Sequence, residues 1–87
     1  MLKVRRAANG EVVFTVSGRL EAGNLRELST VLGAEPAGQS VALDLNDLVL
    51  VDEDAVRLLQ DCERKGITLR NCPRYIAAWM ALQARRR

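Results

Sequence analysis

The chain has 87 residues, a length that allows one small domain and leaves no room for a separate catalytic or regulatory module. It contains no histidine, the most common general base and zinc ligand, so we expect a protein that is not an enzyme. Its net charge of +2 is too small to favour nucleic acid or an anionic membrane as the main partner.

The first residues have the pattern of a β-hairpin. Apolar and polar residues alternate over 2–6 and again over 11–17, and Asn9-Gly10 lies between these segments. Asn-Gly is the preferred pair for a two-residue type I′ turn, because both positions tolerate positive φ. One face of the second strand is fully apolar and is predicted to lie in the core: Val12, Phe14 and Val16.

The middle of the chain alternates between helical and strand patterns. Apolar residues recur at helical spacing over about 22–33, up to Gly33, and again over about 53–64, before Gly66. Residues 40–45 alternate as a strand, with three residues predicted to face the core and two to face outward: Val41, Leu43 and Leu45, against Ala42 and Asp44. Leu48 to Val51 is interpreted as a short apolar segment that leads into the second helix and is not counted as a strand.

The last part of the chain predicts a short strand and a third helix. Residues 67–70 alternate, and Asn71-Cys72-Pro73 places a proline where a helix begins. The apolar side of this helix is predicted to pack on the core, with an exposed patch for a partner or a second copy as the alternative: Tyr75, Ile76, Trp79 and Met80. Arg85, Arg86 and Arg87 are expected to be a solvated helix end rather than a nucleic-acid contact.

The resulting order, β-β-α-β-α-β-α, predicts one α/β domain over residues 1–87 with a mixed four-stranded sheet and helices mainly on one face. The other face is left for solvent, a terminal segment or a partner. Cys62 and Cys72 form no C-x-x-C pair, so we expect reduced packing residues and no metal or other cofactor. With no apolar run long enough to span a membrane and no signal-peptide pattern, we expect a cytoplasmic protein without membrane insertion.

The densest charge feature is Asp52-Glu53-Asp54, at the start of the second predicted helix. One interpretation is that Asp52 or Glu53 caps the helix and that all three carboxylates interact with its positive end. A metal site is an alternative, although a short acidic run lacks the glycine and the distant ligands of a calcium loop. A contact with a basic partner is the third interpretation.

Several segments, in this order, resemble STAS domains, the domains of bacterial anti-sigma factor antagonists that recur in sulfate transporters and in a lipid-transport ABC system. Residues 41–45, Val-Ala-Leu-Asp-Leu, resemble the family's V-x-L-D-L strand. Residues 52–55, Asp-Glu-Asp-Ala, stand where the family has Asp-Ser-Ser/Thr-Gly at a helix start. Residues 16–20 resemble its x-x-G-x-L, and residues 71–76 are similar to the Cys-Ser-Pro-aromatic ending of small stand-alone members.

The resemblance implies a regulatory protein-interaction domain, with one departure. In regulatory members the third residue of the Asp-Ser-Ser/Thr-Gly motif is the hydroxyl that an anti-sigma kinase phosphorylates, and Asp54 stands at that position. A serine kinase cannot place a stable phosphate on a carboxylate, so we expect no phosphorylation switch. Phosphoserine carries a charge of about −1.5 to −2, whereas Asp54 carries a single negative charge and therefore mimics the phosphorylated state only in part.

We therefore expect a protein partner, anti-sigma factor-like or ABC ATPase-like, that contacts the start of the second helix. The candidate partner-binding residues are Leu50, Asp52, Glu53, Asp54 and Arg57. The alternatives are a STAS subunit of an ABC-type lipid-transport complex and a nucleotide- or anion-binding module, and a homodimer is left open. The second alternative lacks a phosphate-binding glycine loop, and the acidic helix start would repel phosphate.

Overall fold

The computed structural model describes residues 2–36 and 38–85 and has the predicted α/β architecture, with three helices and a mixed sheet. The elements in chain order are β1 Leu2–Asn9, β2 Glu11–Leu20, a 3₁₀ turn Ala22–Asn24, α1 Leu25–Gly33, β3 Val41–Asp44, β4 Leu48–Val51, α2 Glu53–Arg64, β5 Thr68–Arg70 and α3 Arg74–Arg85. The predictions for Arg86 and Arg87 lie outside the described residues. None of the helices is both long and apolar enough to span a bilayer within the described ranges.

The sheet has five strands, so the prediction of four was wrong. β2 is the central strand: β1 pairs with it antiparallel along one side, and on the other side β3 pairs with residues 12–15 and β4 with residues 18–20, both in parallel. β5 extends the sheet beyond β3. The segment 48–51 is therefore a strand that continues along the edge of β2 already used by β3.

The hairpin of β1 and β2 is confirmed, but its predicted type I′ turn is wrong. Ala8 pairs with Val12, which places three residues at the tip, and the only positive φ there is that of Gly10, at 85°. A two-residue turn at Asn9-Gly10 would shift the register by one and bring Val4 opposite Thr15 instead of Val16. In the observed register Leu2 and Val4 lie on the same face as Val16 and pack against the core, and this packing decides the register over the local turn preference.

The core lies between the sheet and all three helices. It is aliphatic around Phe14 and includes buried residues from β2, α1, α2 and α3: Val12, Phe14, Val16, Leu20, Leu28, Ala55, Val56, Leu59, Cys62, Ile76 and Met80. Gly66, at φ 93°, ends α2 in the left-handed conformation that glycine adopts without strain. The helices thus cover one face of the sheet, as predicted.

Two residues differ from their predicted orientation. Ala42 was expected to face outward but is fully buried, because β3 is flanked on both sides and the neighbours of Ala42, Val13 and Thr68, are larger. Tyr75 was expected in the core with Trp79, but it is 47% exposed while Trp79 is half-buried against the core. Tyr75 lies in the first turn of α3, where it reaches the edge of β4 instead.

Candidate functional site

A β-bulge in β4 exposes two large apolar side chains side by side. Gly18 pairs with Leu48 and Arg19 pairs with Leu50, so Val49 is an extra residue with no counterpart on β2. Regular alternation would bury every second residue, but the bulge leaves Leu48 and Val51 buried and both residues between them exposed. Val49 is 71% exposed and Leu50 is 43% exposed, so both are available for contact.

The side chain of Tyr75 forms a hydrogen bond with the backbone at the free edge of β4. Its hydroxyl donates a hydrogen bond to the Val49 carbonyl oxygen at 2.8 Å. Unpaired carbonyl groups at a strand edge can pair with another chain, and this bond occupies one of them. The bond ties the backbone of the bulge at Val49 to the first turn of α3.

Asp52 is the N-cap of α2 and also links that helix to the 3₁₀ turn that follows β2. One carboxylate oxygen accepts a hydrogen bond from the Ala55 N–H at 2.9 Å, and the other accepts one from the Ala22 N–H at 2.8 Å. These two backbone donors, Ala22 first, hold the pKa of Asp52 below its ordinary value. The capping interpretation of the acidic cluster is therefore confirmed for Asp52.

Glu53 and Asp54 follow the cap and are both exposed in the first turn of α2. Arg57, one turn later, lies 2.9 Å from a Glu53 carboxylate oxygen and 3.8 Å from an Asp54 carboxylate oxygen. Exposed pairs of this kind contribute about 0 to 1 kcal/mol, because water competes for each charge. The ion pairs of Arg57 with Glu53 and Asp54 can therefore be broken at little cost, which frees these side chains to contact a partner.

The structure brings the predicted site residues together on the short segment 50–57. Their role in binding a partner stays a prediction, and Asp52 differs from the others because both of its oxygens bond within the chain. Sequence reasoning included the segment 48–51 in this surface without singling out Val49, and it did not connect Tyr75 with the surface. The signal for Val49 was the unbroken apolar run 48–51, which a regular half-buried strand would not have.

The two cysteines are free. Cys62 is buried in α2 and Cys72 is half-buried before α3, and burial raises the pKa of both thiols. Within residues 2–36 and 38–85, no three His, Cys, Asp or Glu side chains are grouped as a metal site would require.

Comparison with protein-family models finds no match, and neither does comparison with curated proteins. Among solved structures, the chain is similar to an uncharacterized protein of the DUF3478 family from Shewanella loihica PV-4, which has a SpoIIAA-like fold. The similarity has a TM-score of 0.52 at 15% identity and covers 79% of this chain but 64% of that one, so this chain spans less than two thirds of its length. Because the identity is low, the similarity concerns the fold alone: this chain has the SpoIIAA-like fold of the STAS domains that its sequence resembles.

Proposed function

We propose that this chain is a non-enzymatic protein-interaction domain of the kind found in anti-sigma factor antagonists, with a contact surface formed by β4 and the start of α2. The observation that carries the proposal is the pair of exposed apolar side chains, Val49 and Leu50, next to the exposed carboxylates of Glu53 and Asp54. An apolar centre beside charged groups is the usual composition of a protein contact site.

The charge of this surface indicates which side chains the partner presents. Glu53 and Asp54 outnumber Arg57, the cation that pairs with both, so the start of α2 carries a net negative charge. We infer that the partner presents Lys or Arg around an apolar recess. Complementary charge of this kind increases the association rate and the selectivity more than the final affinity.

The proposal includes the absence of a phosphorylation switch. Asp54 is the second residue of α2 and stands at the position of the family's phosphorylated hydroxyl. Its exposed carboxylate gives this surface a fixed negative charge. A partner that binds such a surface recognises a permanent charge, so binding is controlled by the amount of either protein rather than by a kinase.

The alternatives differ from the proposal in the partner. A STAS subunit of an ABC-type lipid-transport complex would bind an ATPase through the same surface. A nucleotide- or anion-binding module would place phosphate at a helix start, and the carboxylates in the first turn of α2 oppose that arrangement.

Affinity capture from the native cell tests the proposed surface. The tagged wild-type chain is compared with the double variant Glu53→Lys, Asp54→Lys and with a matched control, Glu27→Lys, Glu63→Lys. The control residues are also exposed and the charge change is the same, but they lie on α1 and at the end of α2. We expect a protein captured by the wild type and the control to be lost with the Glu53 and Asp54 variant.

Three outcomes would contradict parts of the proposal. Equal capture by both double variants would exclude the start of α2 as the contact surface. Capture of a lipid-transport ATPase would favour the first alternative. A stoichiometric phosphoserine or phosphothreonine near residue 54 after incubation with candidate kinases and ATP would show that a switch exists.

A further inference from the structure

The face of the sheet that the helices leave open contains a cleft with unpaired charged groups. Lys3 and Arg5 lie on β1, opposite Ser17 and Thr15 of β2 in the strand register. All four therefore point to the face opposite the buried Phe14. Each cross-strand pair thus combines one cation with one hydroxyl.

The cleft has a volume of about 420 Å³, within the usual range for small-molecule sites. Its lining residues are Lys3, Val4, Arg5, Thr15, Ser17 and Asp47. Asp47 belongs to the turn between β3 and β4, and its carbonyl oxygen accepts a hydrogen bond from the Gly18 N–H at 3.2 Å. This bond fixes the turn beside β2, so the cleft has a defined wall.

The two cations and the two hydroxyls of the cleft have no side-chain partners among the described residues. None of the ion pairs between side chains of residues 2–36 and 38–85 uses Lys3 or Arg5, whereas Arg6 and Arg70 pair with Glu35 and Glu11. Nor does any side-chain hydrogen bond in these ranges use the hydroxyl of Thr15 or Ser17. The cleft therefore offers two cations and two hydroxyls that are free to bind a ligand.

Spacing and charge favour a tetrahedral dianion. Residues two apart on a strand have Cα atoms about 7 Å apart, close enough for two long side chains to converge on one phosphate group. A phosphomonoester carries about −1.5 to −2 charges at neutral pH, which matches one lysine and one arginine. The planar guanidinium of Arg5 can hold two phosphate oxygens at once.

Asp47 indicates that the ligand carries hydroxyl groups in addition to a phosphate. Its carboxylate is exposed at the rim of the cleft and accepts one hydrogen bond, at 3.1 Å, from the Asn46 side-chain amide. The remaining acceptor capacity suits hydroxyl donors of the same ligand. We propose that this cleft binds a hydroxylated phosphomonoester, with phosphate on Lys3, Arg5 and the two strand hydroxyls, and with ligand hydroxyls on Asp47.

Titration with glycerol 3-phosphate, followed by the backbone amide signals in NMR, tests the site. We expect saturable shifts at residues 3–5, 15–17 and 47, and none with glycerol or acetate at equal ionic strength. Vesicles of phosphatidylcholine containing phosphatidic acid form a second arm, which tells a lipid phosphate from a soluble one. The variants are Lys3→Gln, Arg5→Gln in one protein and the control Arg26→Gln, Arg74→Gln in another.

Loss of Lys3 and Arg5 should weaken binding by at least about tenfold, and loss of each hydroxyl, in Thr15→Val or Ser17→Ala, by about two- to tenfold. The control should bind like the wild type, and Asp47→Asn should bind inorganic phosphate more tightly than the wild type does. Since Lys3 and Arg5 are exposed, variants at these positions should fold. The variant Arg5→Lys keeps the positive charge but loses the planar guanidinium, so it separates the two contributions to binding.

Binding in either arm that depends on Lys3 and Arg5 supports the site and identifies the source of the phosphate. No saturable binding in either arm would overturn the proposal. Equal weakening by the control variant would also overturn it, because the effect would then be one of net charge.

Discussion

Replacing Asp52 by alanine removes the side chain that joins the start of α2 to the 3₁₀ turn after β2. The carboxylate accepts the Ala55 N–H within its own helix and the Ala22 N–H thirty residues away. The variant therefore loses both a helix cap and a long-range contact. We expect Asp52→Ala to be among the most destabilising changes at a residue that is not buried in the core.

The magnitude follows from the two hydrogen bonds. Loss of an N-cap costs about 0.5 to 2 kcal/mol. The bond from Ala22 to a charged acceptor adds about 1 kcal/mol, less than is usual for a charged acceptor because water can reach this exposed N–H. The expected total is about 1.5 to 3 kcal/mol, which lowers the Tm by roughly 6 to 24 °C for a domain of this size.

Urea unfolding at several pH values measures this effect, with Asp54→Ala as the control. Asp54 lies in the same first turn, and its only side-chain ion pair among the described residues is with Arg57, so its loss should cost less than about 1 kcal/mol. The folded-state pKa of Asp52 is lowered, so its contribution is complete above the ordinary value of 3.8 and decreases as the pH falls towards the folded-state pKa.

The difference between wild type and Asp52→Ala should therefore be constant near neutral pH and shrink in acid. Equal destabilisation by Asp52→Ala and Asp54→Ala would refute the reasoning, because the cap and the long-range bond would then contribute nothing specific. A difference that stays constant well below pH 3.8 would show that the charge of Asp52 is not what these donors stabilise.

Other predictions concern the strand edge, the core and the thiols. Tyr75→Phe removes the hydrogen bond to Val49, and should cost about 0.5 to 1 kcal/mol and speed amide exchange in β4; unchanged exchange would contradict this role. Leu59→Ala leaves a cavity at a fully buried site and should cost about 2 to 5 kcal/mol in urea unfolding; a cost under about 1 kcal/mol would contradict its burial. Because burial raises the pKa of both thiols, alkylation at neutral pH should be slower than for a free cysteine, and Cys72 should react before Cys62; the reverse order would contradict their exposures.

The helices could be predicted from the sequence because their patterns are local. The spacing of apolar residues and the position of Gly66 placed α2 at residues 53–64, and the structure confirms these bounds. The strand β4 was missed because its four residues alternate neither in polarity nor in burial. Only its pairing with β2, and the bulge at Val49, explain the pattern.

The candidate site shows the same limit. The sequence alone indicated that Asp52 or Glu53 caps α2, but the contact that makes Asp52 structural comes from Ala22, on another element. The turn at Asn9-Gly10 was predicted from a local preference, which the packing of Leu2 and Val4 against the core overrides. Long-range contacts of this kind leave no signal in residue spacing.

The most direct test of the proposed contact surface is hydrogen–deuterium exchange of this chain alone and with a captured partner. Protection is predicted over residues 49–57, where β4 and the start of α2 meet, and little change is predicted over α1. Protection confined to α1 or to the open face of the sheet, with 49–57 unchanged, would contradict the proposed function.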